Sequence, residues 1–102
     1  MSKRRDFEFL SDIEEATERI GIYIDKMDYE EFLQDIKTQD AIVRNLEIIG
    51  EAVKNLSSEL KENYNDIDWK KIAGMRDRII HCYFGVNWDI VWRASLKTQS
   101  SR

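Results

Sequence analysis

Ile42, Leu46, Ile49, Val53 and Leu56 follow one another at alternating steps of four and three residues. Only an α-helix brings such positions to one side, because its 3.6-residue turn returns to the same face at those intervals, whereas a strand does so every second residue. A second stripe, Phe7, Leu10, Ile13, Thr17, Ile20, Ile24 and Met27, repeats the pattern and predicts a long amphipathic helix over 6–27. No proline interrupts either run, or any other part of the 102 residues. With 42% apolar and 35% charged residues, the chain fits an all-α globular domain better than a disordered segment or a β-sandwich. The expectation is a compact bundle of four to five helices, one domain over 1–98 with a frayed tail at 99–102.

Between and beyond the two stripes, local signals place the remaining elements. Gly21 lowers helix propensity by up to about 1 kcal/mol relative to Ala, and in exchange permits a close helix approach. Asp28 followed by Glu31 is a capping-box variant, introducing a short helix with Tyr29, Phe32, Leu33 and Ile36. Thr38 or Asp40 starts the helix of the Ile42 stripe. Residues 57–68 are the least periodic, with a turn of helix at 59–64, a loop at 65–68, and Asp68 as N-cap of a helix from Trp69 to about Cys82. That helix stops near Gly85, and Asn87 caps a last one through Trp88, Val91, Trp92 and Leu96.

Charge is uneven along the chain. The net value is −4, but residues 1–67 carry nine Lys/Arg against seventeen Asp/Glu, and 68–102 carry seven against three. The acidic total argues against a general nucleic-acid coat, while the basic end is either an uneven solvated surface or a local phosphate-binding patch. A single cysteine, Cys82, forms no internal disulfide, and no amino-terminal apolar run resembles a signal peptide or membrane span. A cytoplasmic protein is expected, with no membrane association.

The stretch from Trp69 to Trp92 concentrates the unusual residues: the only histidine, the only cysteine, all three tryptophans and an arginine in an awkward place. On a helix, Trp69, Ile72, Ala73, Ile79, Ile80 and Tyr83 share a face with Arg76 at its centre. A guanidinium there must pair across a helix contact, face another subunit or line a cavity. Asn45 and Glu51 are its candidate partners, and Asp77, beside it in sequence, a candidate supporting residue. Arginine and histidine together suit metal-free work on phosphate: guanidinium neutralises oxyanions bidentately, and imidazole exchanges protons near neutral pH. The 2′-hydroxyl of RNA supplies the nucleophile. Five helical residues rotate by about 500°, leaving Arg76 and His81 about 140° apart. Either the helix loosens near His81, or long side chains and a twofold-related subunit bring the groups together. Tyr83 returns almost to the face of Arg76. No zinc-ligand spacing, glycine-rich phosphate loop or nucleophile elbow is present, so no cofactor is expected. The tryptophans could stack on bases, but their helical spacing fits packing better.

Arg76, four residues, His81, one residue and Tyr83 match the RX4HXY motif of HepT-like proteins of the HEPN superfamily. RNLEIIGEA at 44–52, the stretch 68–92 and the region 29–42 resemble the same family, so the likeness covers nearly the whole chain. It implies a helical bundle, usually a homodimer, serving as the toxin of a toxin–antitoxin pair and cutting RNA, tRNA among the candidates, without metal. By that resemblance Arg76 stabilises the scissile phosphate and His81 is the catalytic acid or base. It also implies a minimal nucleotidyltransferase antitoxin that uses ATP and magnesium to transfer AMP to Tyr83. The rival expectation is a non-catalytic nucleotide-binding or docking subunit of a nucleotidyltransferase complex. Departures from the family pattern are Cys82 between His81 and Tyr83, a turn at 26–28 without its expected glycine, and a short carboxyl end.

Overall fold

The computed structural model describes residues 2–85 and 87–100; for 2–4, 76, 80–85 and 100 the description covers the backbone alone. Six helices follow in order: α1 (Ser2–Ile24), α2 (Tyr29–Leu33), α3 (Ile36–Asn55), α4 (Ser58–Asn63), α5 (Trp69–Gly85) and α6 (Trp88–Ser100). The all-α expectation holds, and the two shortest helices, α2 and α4, are little more than single turns. Among the described residues no helix is long and apolar enough to cross a membrane.

The Ile42 stripe makes α3 the centre of the bundle. Ile42, Leu46, Ile49, Val53 and Leu56 are all buried, and α3 packs along both α1 and α5 while α6 rests on α1 and α3. Each large apolar side chain so covered contributes about 1.5–3 kcal/mol. The helix starts earlier than expected: Asp35, rather than Thr38 or Asp40, is the N-cap, accepting from the Thr38 N–H at 3.1 Å. Ile36 therefore belongs to the first turn of α3 and not to α2. The capping box is present as predicted, Glu31 N–H donating to Asp28 at 2.8 Å and Asp28 N–H to the Glu31 carboxylate at 3.0 Å. Gln39, buried on α3, donates to the Phe32 and Leu33 carbonyls and so closes the carboxyl end of α2.

In α1 the buried face differs from the predicted stripe. Ile13, Ala16, Ile20 and Ile24 pack inward, but at the amino end Asp6 and Phe9 take the inner positions, leaving Phe7 74% and Leu10 40% exposed. The reason is angular: a helix that buries Asp6, Phe9 and Ile13 places Phe7 about 130° from the centre of that face. Asp6 is drawn in by Ser57, whose N–H and hydroxyl both donate to its carboxylate. Because Ser57 is also the N-cap of α4, this contact ties the start of α1 to the α3–α4 junction and sets α1 antiparallel to α3. Beyond α1, Lys26 adopts φ 59°, at the turn where a glycine was expected.

Gly21 serves the close approach anticipated for it. A methyl group there would lie 2.5 Å from the Gln99 side-chain oxygen, and Gln99 donates to the Thr17 carbonyl at 2.9 Å, docking α6 on α1. The predicted frayed tail from 99 thus begins within α6, where Gln99 is held by α1. Residues 101 and 102 lie outside the described residues. At the other end of α6, Trp88 and Trp92 pack on Phe32 at ring-centroid distances of 6.0 and 5.1 Å, and Trp92 meets Tyr29 at 6.1 Å. That aromatic cluster supports the packing reading of these tryptophans.

Candidate functional site

Helix α5 carries the arginine, histidine and tyrosine of the motif, and its start is fixed by local chemistry. Asp68 accepts from the Lys71 N–H at 3.1 Å, as its expected capping role requires, and the Trp69 indole N–H donates to the Tyr64 carbonyl at 3.1 Å. From there α5 is an unbroken α-helix to Gly85. Of the two ways to bring Arg76 and His81 together, a loosened helix is therefore not the one the backbone adopts. Their register positions stay about 140° apart, while Tyr83 returns to within about 20° of Arg76.

The surroundings of these positions are asymmetric. One turn to either side of Arg76, Ile79 is buried and Ile72 half-buried against the core, with Trp69, Ala73 and Met75 also half-buried. Arg76 thus occupies a register position on the side of α5 that meets the bundle. Met75 widens that side beyond the face read from the sequence. His81 instead continues the line of Gly74, Asp77 and Arg78, of which Asp77 and Arg78 are exposed. The side chains of Arg76, Ile80, His81, Cys82 and Tyr83, and so the expected contacts among them, lie outside the described residues.

The three supporting candidates fall in different places. Asn45 is buried on α3; its amide donates to the Ala41 carbonyl at 2.8 Å, and its side-chain oxygen has no hydrogen-bond partner among the described residues. Glu51 lies on the exposed side of the same helix, about 120° around from Asn45, so the two do not share a face. Asp77 is exposed on α5. Among the described residues no three His, Cys, Asp or Glu side chains gather as a metal site.

One group of residues was not singled out from the sequence. Lys70, Lys71 and Arg78 are all exposed on the outward side of α5, where Arg78 donates to the Lys71 carbonyl at 3.1 Å. A side chain built at Gly74, between them, would meet nothing within 4 Å. The available signal was the basic balance of residues 68–102, which gives the sign of the charge but not the face that bears it.

A strand-free set of six helices among the described residues, with RX4HXY on the fifth, defines an all-α bundle of the HEPN kind. The chain belongs to the HepT-like family: the model of the ribonuclease HepT-like family matches residues 13–99, from the middle of α1 into the last turn of α6. Among curated relatives, a Methanocaldococcus jannaschii protein named as a predicted RNase is 46% identical over 92 residues, covering 90% of this chain and 76% of its own. A Thermococcus cleftensis protein named a probable ribonuclease HepT is 45% identical over 91 residues, covering 89% and 83%. A third, from Caldanaerobacter subterraneus and also named as a predicted RNase, is 55% identical over 69 residues, covering 68% of this chain and 62% of its own. No solved structure matches the chain.

Proposed function

We propose that this protein is a metal-independent endoribonuclease of HEPN type that acts as the toxin of a toxin–antitoxin pair in the cytoplasm, with RNA, tRNA among the candidates, as substrate. The observation that carries this is the family match over residues 13–99 with Arg76, His81 and Tyr83 in motif register on one continuous helix. The names of the relatives, RNases throughout, support the same reaction class.

In this reading the 2′-oxygen of RNA attacks the adjacent phosphorus. Its proton passes to a base, the bond from phosphorus to the 5′-oxygen breaks, and that oxygen leaves protonated as a 5′-hydroxyl. The other product ends in a 2′,3′-cyclic phosphate. His81 carries the proton and Arg76 offsets the charge that grows on the non-bridging oxygens. A proton-transfer group of this kind contributes about 10²–10⁴-fold, and an oxyanion donor about 10²–10³-fold. Because α5 does not loosen, the 140° separation is bridged by a second copy of the chain, so that a homodimer forms a cleft with two sets of motif residues. Asn45, Glu51 and Asp77 remain candidates for holding the arginine or shaping that cleft.

Neutralisation follows from Tyr83, which shares the face of Arg76. A partner nucleotidyltransferase holding ATP and magnesium transfers the adenylyl group to the phenol oxygen, which attacks the α-phosphorus. The phenol loses its proton, pyrophosphate leaves, and the resulting AMP fills the cleft with bulk and negative charge.

A second reading, a docking subunit that presents nucleotide to such a partner without cutting RNA, is favoured by the separation of Arg76 and His81 on an unbroken helix and by the net charge of −4. Expression in cells distinguishes the two. Growth arrest by the wild type, relieved by Arg76→Ala and by His81→Ala at equal soluble levels, is expected of the toxin. Arrest by both variants contradicts it, and absence of arrest by unmodified wild type favours docking. Incubation with the partner and ATP should add the mass of AMP to the wild type and not to Tyr83→Phe; the same gain in that variant would refute the acceptor assignment.

A further inference from the structure

We infer that the outward face of α5, formed by Lys70, Lys71, Gly74 and Arg78, is a track for the phosphate backbone of single-stranded RNA leading to His81. This inference rests on the nuclease reading and extends it from the reacting groups to how the strand is held. Lys70, Lys71 and Arg78 are exposed, and the space over Gly74 is open, so a polyanion can approach the helix between them. At 1.5 Å per residue, the span from Lys71 to Arg78 is about 10 Å along the axis, and His81 continues the same line less than one turn further. Arg78 gives one donor to the Lys71 carbonyl and keeps the remaining guanidinium donors for oxyanions.

Charge elsewhere makes this face distinctive. Residues 1–67 are acidic by eight charges and repel a polyanion, so the net-acidic protein has a reason to present RNA to its basic carboxyl-terminal part, of which the outward face of α5 carries three exposed cations. Asp77 is the acidic group of α5 on this side, at the margin away from Arg78, and Asp68 at the start of the helix is engaged as a cap. The described side chains of the face include no large apolar group, which speaks against an ordinary protein interface and for a backbone-reading one. Two copies related by a twofold axis would also set like charges against each other here. The face therefore flanks the shared cleft and does not seal it.

Binding of a labelled single-stranded oligoribonucleotide to His81→Ala protein, measured across a salt series, tests the track without cleavage. Replacing Lys70, Lys71 and Arg78 together by Ala in that background should weaken binding at least about tenfold at low salt. It should also lower the slope of log affinity against log salt by about 2, as expected for three lost phosphate contacts on a single strand. The matched control, Lys37→Ala, Arg44→Ala and Lys54→Ala, removes three exposed charges from α3 and should leave the slope unchanged. Circular dichroism confirms that both variants keep their helices. Equal affinity and slope in the α5 variant overturn the track and leave that face to an acidic protein partner; an equal loss in the α3 control overturns it by reducing the effect to net charge. Absence of cleavage by the wild type would instead count against the nuclease reading, which the binding series does not measure.

Discussion

Lys26 is held at φ 59°, a conformation that costs a residue with a Cβ about 1 kcal/mol and glycine much less. The turn at 26–28 is where the family resemblance led to the expectation of a glycine, and the positive φ of Lys26 is a backbone conformation that favours one. Lys26→Gly should therefore raise stability by up to about 1 kcal/mol in chemical denaturation, and a loss would show that the lysine side chain is itself engaged. Asp6 is the opposite case, a residue whose role nothing in its sequence context suggested. Hydrogen bonds from the Ser57 hydroxyl and N–H, aided by Lys61 and opposed by burial, hold its carboxyl below the ordinary 3.8. A carboxyl lowered on folding contributes stability that is complete above its unfolded value and lost as pH falls through the folded one. Asp6→Asn, which keeps an acceptor for Ser57 but not the charge, should be less stable than wild type at neutral pH, and the difference should shrink once pH drops below 3.8. A gap that stays constant into acid would mean that Asp6 is not the titrating group.

At the scale of elements, α2 depends on its two ends more than on its length. Five residues cannot sustain a helix by propensity, so the Asp28–Glu31 box and the Gln39 amide hold it while Phe32 anchors it in the core. Gln39→Ala should cost about 1–2 kcal/mol, since the Phe32 carbonyl still accepts from Asp35. It should also perturb tryptophan fluorescence, because Phe32 packs on Trp88 and Trp92; unchanged emission would mean that α2 stays in place without the amide. The same element marks the limit of what periodicity reveals. The α3 stripe was legible because the helix is covered by α1 on one side and α5 on another, so its apolar positions stay in phase throughout. The α1 stripe was legible only from Ile13 onward, because at its amino end a tertiary hydrogen bond draws in an aspartate and turns Phe7 outward. Ile36, apolar and in phase with α2, concealed the start of α3 behind it, and Asp35 was passed over as a cap.

For the whole molecule, α1, α2, α5 and α6 pack on α3 and place the motif helix at the side of the bundle, with Arg76 in register toward the core side and His81 toward the outward side. The motif could be read from the sequence because all its residues lie within eight positions of one helix. The basic face could not, because Lys70, Lys71 and Arg78 form a surface only once α5 is packed and its outward side defined. The central claim is that Arg76 and His81 together cut RNA without metal. Its most direct measurement is cleavage of total cellular RNA by the purified, unmodified protein in excess EDTA, beside Arg76→Ala and His81→Ala proteins of equal helicity. Cutting by the wild type that leaves 2′,3′-cyclic phosphate ends, reduced at least about a hundredfold in each variant, is the predicted result. Cutting that survives in either variant, or none by wild type whose intact mass carries no AMP, would contradict it.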